Sequence, residues 1–408
     1  MNESVNTKGQ DSGPLAGMRV LELGQLIAGP FAGSYLANFG AEVIKVEPPG
    51  DGDPLRRWRS MKGDTSWWWY SLARNKKSVT LDLKSERGRE VLRKLIGEVD
   101  VLIENFRPGV LESWGLSPAE LEAINPTLCL ARVSGYGQSG PMSQKPGFAS
   151  VCEGFSGFRY LNGFPGEVPV RPNLSIGDSI AGLFAVTGIL MALQRGKDRR
   201  FEVVDVALYE SMFTLLEAVI PEYAGCGEVR QPSGTTLTGI VPTNTYTCAD
   251  GKYLIIGGNG DSIFVRLMRA IERPDLAEDP RLAHNPGRVE HEQEIDAALR
   301  EWCAAHSLEN CMQVLEQARI PSGPVLDASD IAKDAQYRAR DMIRYLKMDQ
   351  SEIAMPAYAP KLGGSDGRVE QYQLSPGPKT GEHTEAVLTE LARLDSGQID
   401  QLRKQGVI

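Results

Sequence analysis

The sequence predicts an α/β protein built on an open parallel sheet, with a second and smaller α+β unit. Three observations predict this. Short apolar strands alternate with amphipathic helices through the first half of the chain, the pattern of βαβ units. Glycine-containing turns follow three of those strands, at 24–30, 106–109 and 135–141. Such turns are where ligands enter a parallel sheet. Composition then changes near residue 225, where 224–242 is rich in Gly, Ser, Thr and Pro and reads as a linker or mobile loop.

The elements follow in order. Residues 1–15 read as a disordered arm. Met18–Leu23 and Glu42–Glu47 are strands around a short helix, Phe31–Phe39. Glu47 stands where a dinucleotide fold keeps its ribose-binding acid, but Gly24, Gly29 and Gly33 do not space as G-x-G-x-x-G. Residues 51–70 read as a loop whose aromatic run, Trp67 to Tyr70, either stacks a base or packs against a subunit or lid. Residues 75–84 form a lysine-rich strand, a solvated edge or a phosphate contact. Helix 85–99, strand 100–105, a broken helix 111–124, strand 128–134 and helix 148–156 continue the alternation. Beyond them come an apolar helix to Leu193, strand 203–208 and helix 209–223.

Past the linker, strands 245–247 and 253–256 lead into GGNGDS (257–262), a turn that could cradle a phosphate or simply reverse the chain. Helices 263–271, 291–304 and 308–317 complete the small unit. PSGPV (321–325) marks the return, followed by strand 345–348 and helices 382–393 and 396–406. The domain reading is therefore 16–224, then 225–325, then a return segment 326–408.

Composition narrows the function. The 408 residues are 41% hydrophobic and 24% charged, with a net charge of −9, which gives no general bias toward nucleic acid or anionic membrane. Six scattered cysteines without a CxxC pair point to a reducing, cytoplasmic setting and away from disulfides or zinc. The four histidines lie at 284 and beyond without HExxH, so no metal site is expected. The N-terminus lacks a secretory core, and the apolar run Ile180–Leu193 is too short for a bilayer.

The stretch RPNLSIGDSIAGLFAVTGILMAL (171–193) places Asp178 at the mouth of that run. A carboxylate there is an ordinary N-cap, or an ionised nucleophile held by backbone N–H groups and the helix dipole.

From Leu15 to Ile408 the chain resembles the family III CoA-transferases, also called the CaiB–BaiF family. The resemblance is carried by LAGMRVLELGQLIAGPFAGSYLANFGAEVIKVEPP, NKKSVTLDLKSERG, ENFRPG, ARVSGYGQSGP, PVRPNLSIGDSIAGLFAVTGILMAL, VVDVALYES and GEHT. It implies a Rossmann-like large domain made from both chain ends, a small inserted domain and an interlocked homodimer. It identifies Asp178 as the nucleophile. It places coenzyme A at Ile27 and Ala28, at Leu81, Asp82, Leu83 and Lys84, and at Asn105, Phe106 and Arg107. Coenzyme A esters would enter as substrates, with no permanently bound cofactor, and a carboxylic acid would be the acceptor. Ile27 and Ala149 replace the glutamine and glutamate of formyl-CoA transferase, which counts against formyl and oxalate specificity; Glu153 lies one turn beyond Ala149. PVRPNLSIGD resembles succinyl-CoA:dicarboxylate enzymes, so Arg171 either contacts a second carboxylate or pairs structurally. The alternatives are a 2-methylacyl-CoA racemase, whose histidine would fall on Gly147-Phe148-Ala149, and a nucleotide-binding oxidoreductase.

Overall fold

The computed structural model describes residues 13–348, 351–365, 367, 369–370 and 372–408. Residues 1–12 of the expected disordered arm lie outside them. Gly13–Leu15 form a turn, and the Leu15 N–H donates to the Phe39 carbonyl.

The chain divides into two compact units. The first is Met1–Phe158, Pro172–Ile220 and Arg340–Ile408; the second is Arg159–Arg171 and Pro221–Ala339. Segment 159–171 groups with the second unit because it bonds there. The Tyr160 hydroxyl meets the Gln231 side chain, and the Gly234 N–H donates to the Gly163 carbonyl.

A six-stranded sheet organises the first unit. Its strands are β1 (Arg19–Glu22), β2 (Glu42–Glu47), β3 (Lys76–Thr80), β4 (Val101–Glu104), β5 (Cys129–Ser134) and β6 (Glu202–Ala207). Their order is β3-β2-β1-β4-β5-β6, and every pairing is parallel. Strands such as Val101-Leu102-Ile103 are apolar at successive positions because both faces are covered. Alternation sorts them. Leu21, Ile44, Val46, Leu102 and Leu130 join one core, while Val20, Val43, Val101, Ile103 and Ala131 join the other.

Helices fill both layers. On one face lie α1 (Ala28–Asn38) and the long α5 (Ile176–Leu193). The other core takes α3 (Glu86–Ile96), whose N-cap Ser85 accepts from Gly88. It also takes the C-terminal α10 (Thr384–Glu390) and α11 (Ser396–Lys404), so both chain ends build this unit. Between α1 and α3, residues 51–70 are more ordered than a loop. Asp53 caps a 3₁₀ turn, Pro54–Arg57, and Ser66 caps α2 (Trp67–Leu72). Trp69 is buried in α2, under the Arg56 guanidinium. The helix α4 (Ala149–Phe155) precedes α5, and α6 (Leu208–Phe213) follows β6. The helix expected over 209–223 breaks after α6, near Glu217, where φ is +50°; Val219–Cys226 forms a separate helix.

Helix α5 begins at Ile176 with Ser175 at its N-cap position. Asp178 is therefore the third residue of the helix and not its cap. The extra turn makes 18 residues, long and apolar enough by length and composition to cross a membrane, contrary to the reading of the apolar run alone. It packs against α1, α4, β5, β6 and α6, while Leu183, Leu190 and Met191 stay exposed.

The second unit has its own core. Strands β7 (Thr243–Thr247), β8 (Tyr253–Gly257) and β9 (Ser322–Pro324) pair antiparallel in the order β9-β8-β7. Helices α7 (Asp261–Ala270), α8 (Glu292–Ala305) and α9 (Leu308–Gln317) pack on them. In the first unit, strand Ile343–Met348 pairs antiparallel with Ser351–Pro356, a partner the sequence reading missed.

Candidate active site

The turns after β1, β3, β4 and β5 all leave the same edge of the parallel sheet. The chain runs from β1 outward to β3 and then restarts at β4 on the other side of β1. Ligands of open α/β sheets bind beside such a reversal.

One side chain joins the two turns flanking it. The Asn105 side chain accepts from the Gln25 N–H at 2.7 Å and donates to the Gln25 carbonyl at 2.9 Å. The next residue, Leu26, sits at φ +63°, a costly region for leucine. Its N–H donates to both carboxylate oxygens of Asp53 at 3.2 Å.

Beneath this turn lies a buried charge network. Lys45 Nζ reaches Asp53 at 2.8 Å and Glu22 at 3.1 Å, and it donates to the Gly24 carbonyl at 2.6 Å. Lys76 Nζ meets Glu22 and the Pro30 carbonyl, both at 2.7 Å. Burial opposes charge on Lys45, but Asp53, Glu22 and Glu47 outweigh it and raise its pKa. Lys76 shares Glu22 and has no second carboxylate in contact among the described residues; burial pushes it down to about 8. Neither expected role of the lysine-rich strand holds for Lys76, a buried network member. Its neighbour Lys77 pairs with Glu42 at 2.6 Å.

Asp178 stands in the first turn of α5, partly buried. Glu153, fully buried on α4, accepts from the Gly177 N–H at 3.3 Å, occupying one of the donors left open at a helix start. Gly177 permits this approach, since a Cβ there would lie 3.2 Å from Glu153 Cγ. Burial, with the Asp178 and Glu153 carboxylates nearby, raises the Cys152 thiol to about 11. One turn further along α5, Gly182 meets the start of α1: a Cβ there would lie 3.0 Å from the Ala28 carbonyl oxygen. The start of α5 thus lies close to both α4 and residues 27–28.

The remaining expected residues line the sheet edge. Leu81 is buried, Asp82 and Leu83 are half-buried, and Lys84 is exposed after β3. After β4, Phe106 packs edge-on against Trp114 at 5.2 Å, and Arg107 is exposed. The Phe106 N–H donates to Glu104 at 2.7 Å; Glu104 also takes a 2.7 Å bond from Arg132, yet burial pushes its carboxyl up to about 7. Strands β3 and β4 stand three places apart in the sheet, about 14 Å at roughly 4.8 Å per strand. An elongated ligand suits that row.

Other candidates fall elsewhere. Arg171 belongs to the second unit and is exposed. The GGNGDS turn is filled from within. The buried Arg288 donates to the Asn259 carbonyl at 2.7 Å and to Asp261 at 2.8 Å, and His284 also meets Asp261. Phe148, where a racemase would carry its base, is an exposed phenylalanine at the start of α4. No cluster of metal-ligating side chains occurs among the described residues. Sequence reasoning missed Lys45 and Asp53; a lysine inside the apolar strand Val43–Val46 was the available signal, since lysine is seldom fully buried without a partner.

The family description "CoA-transferase family III" matches residues 15–384. Succinyl-CoA–D-citramalate CoA-transferase of Chloroflexus aurantiacus is 43% identical over 399 residues, 97% of this chain and 98% of that protein. The succinyl-CoA–L-malate CoA-transferase alpha subunit of Chloroflexus aurantiacus is 38% identical, over 98% of this chain and 94% of its own. A CAIB/BAIF family protein from Brucella suis superposes with a TM-score of 0.81 at 32% identity, covering 93% of this chain and 99% of its own.

Proposed function

The chain belongs to CoA-transferase family III, and we propose that it moves coenzyme A from succinyl-CoA to a small dicarboxylic acid through Asp178. The observation that carries the proposal is the position of Asp178 in the first turn of α5, where the positive end of a long helix favours the ionised carboxylate.

The chemistry follows from that carboxylate. An Asp178 oxygen attacks the thioester carbonyl, the C–S bond breaks, and coenzyme A leaves as thiolate from an aspartyl–acyl anhydride. The thiolate then attacks the aspartyl carbonyl and expels succinate, leaving an aspartyl-CoA thioester. The acceptor carboxylate attacks that thioester, and the returning thiolate takes the acceptor's acyl group, freeing Asp178. Anhydrides hydrolyse, so the site must exclude water.

Ile27 and Ala28, Leu81 to Lys84, and Asn105 to Arg107 are proposed to receive coenzyme A along the sheet edge. The strand order supports a Rossmann-like reading of the first unit, and Lys84 and Arg107 supply cations for its phosphates. Asn105 acts there by holding the turn at Gln25. An interlocked homodimer is proposed to cover apolar side chains exposed in one chain, including Leu183, Leu190 and Met191 on α5 and Val151 and Phe155 on α4.

The test combines turnover with trapping. Succinyl-CoA is mixed with citramalate, malate or glutarate, and product esters are read by mass spectrometry. Borohydride added during turnover should reduce the thioester at residue 178, and Asp178→Asn should fold, bind coenzyme A esters and lose nearly all transfer. Full activity in Asp178→Asn, verified free of deamidation, or consistent labelling of Glu153 instead, would overturn the assignment.

A further inference from the structure

One pocket in the first unit holds two guanidinium groups and no carboxylate. It has a volume of about 620 Å³, a size typical of small-molecule sites, which run about 300–1,000 Å³. Its wall includes Ile27 from the turn after β1 and Ser175 and Ser179 from the start of α5. It therefore borders the turn that carries Asp178.

Arg74 lines this pocket and is only 1% exposed. Its guanidinium stacks 4.5 Å from the centre of the Tyr358 ring, and Nη1 donates to the Pro356 carbonyl at 2.5 Å. Its Nε is buried and has no hydrogen-bond partner among the described residues. No carboxylate pairs with it there. Arg56 shows what a satisfied buried arginine looks like in this protein. Its Nε and Nη2 grip Glu47 at 2.7 Å each. A buried guanidinium with an idle Nε edge is costly unless something completes it.

We infer that Arg74, part of the pocket wall, binds the remote carboxylate of the dicarboxylic substrate. The planar fork suits a carboxylate. Arg59, whose guanidinium lies 4.4 Å over the Trp68 ring, lines the same pocket and adds positive charge. Arg74 makes the site selective for acids bearing a second negative charge, and apolar wall residues such as Phe31, Trp67 and Leu72 accommodate the carbon chain. This rests on the CoA-transferase reading of the Asp178 turn, and it assigns to Arg74 the recognition that the sequence had suggested for Arg171.

The experiment compares acceptors that differ in one group. With succinyl-CoA as donor, the wild-type enzyme is given glutarate or its monoamide, and kcat and KM are measured. Wild type is expected to prefer the diacid by roughly 10- to 100-fold in kcat/KM, as loss of a charged hydrogen bond implies. Arg74→Gln should raise KM for the diacid and reduce that preference toward one; Arg74→Lys should retain part of it. Equal use of both acceptors by wild type overturns the inference without any variant. An unchanged preference in folded Arg74→Gln or Arg74→Lys overturns it too, as does an equal loss on both acceptors, the mark of a structural role. Absence of transfer from succinyl-CoA to any acid would instead remove the catalytic reading itself.

Discussion

Asn105 shows how one side chain can hold together two turns of the proposed coenzyme A surface. Its amide satisfies both the N–H and the carbonyl of Gln25, so the turn after β1 and the turn after β4 are held together. Asn105→Ala should cost about 1–3 kcal/mol, the range for leaving buried polar groups unpaired. KM for coenzyme A esters should rise more than kcat falls, as steady-state kinetics with urea unfolding would show. Asp178 behaves differently. As the third residue of α5 it gains from the helix dipole without serving as a cap. Asp178→Ala should abolish transfer while the chain still folds. Loss of the cooperative urea transition would show that the carboxylate holds the fold.

At the scale of elements, the sheet and the turn after β1 are tied by charge. Lys45 from β2 meets Glu22 from β1 and Asp53 from the following segment. Removing one member leaves the others buried without compensation, so Lys45→Met should destabilise by about 3–5 kcal/mol, measured by thermal or urea unfolding. A loss below about 1 kcal/mol would mean that the network is dispensable.

The C-terminal return is tied to β3 by His383, whose Nδ1 accepts from the Ser78 N–H at 3.2 Å. Burial lowers its pKa below 6.5; Glu382 raises and Lys77 lowers it. The unfolded chain therefore takes up this proton first as pH falls. The contribution is complete above about pH 6.5 and declines as pH falls toward the lowered folded value. His383→Asn keeps an acceptor without titrating. Its urea midpoint should drop less than that of wild type between pH ~7.5 and pH ~5.5, and an equal drop would remove His383 from the account.

For the whole molecule, the proposed dimer makes a strong demand. Chains threaded through one another cannot exchange without unfolding. Differently tagged preparations mixed when folded should stay unmixed, and should form hybrids only after denaturation and refolding together. Light scattering should give twice the chain mass. A concentration-independent monomer would exclude the arrangement and leave the apolar faces of α4 and α5 to another explanation.

Patterns confined to neighbouring residues were legible in the sequence. Apolar runs bounded by glycine turns gave the strands of a parallel sheet, because a strand buried on both faces has to be apolar at successive positions. The ordered motifs around Gly177-Asp178 pointed to the family, which the comparisons establish. Local pattern placed the start of α5 too late: Ser175 is a favoured cap type but makes no side-chain cap bond, and the helix packs against α1 and α4. Only the tertiary structure decided that Lys45 and Lys76 are buried, that Asn105 holds Gln25, and that Arg74 lines a pocket without a carboxylate beside it. Those facts depend on pairings across 21, 54, 80 and 282 residues of chain. Charge and hydrogen bonding act through space, and sequence spacing does not record which distant groups will meet.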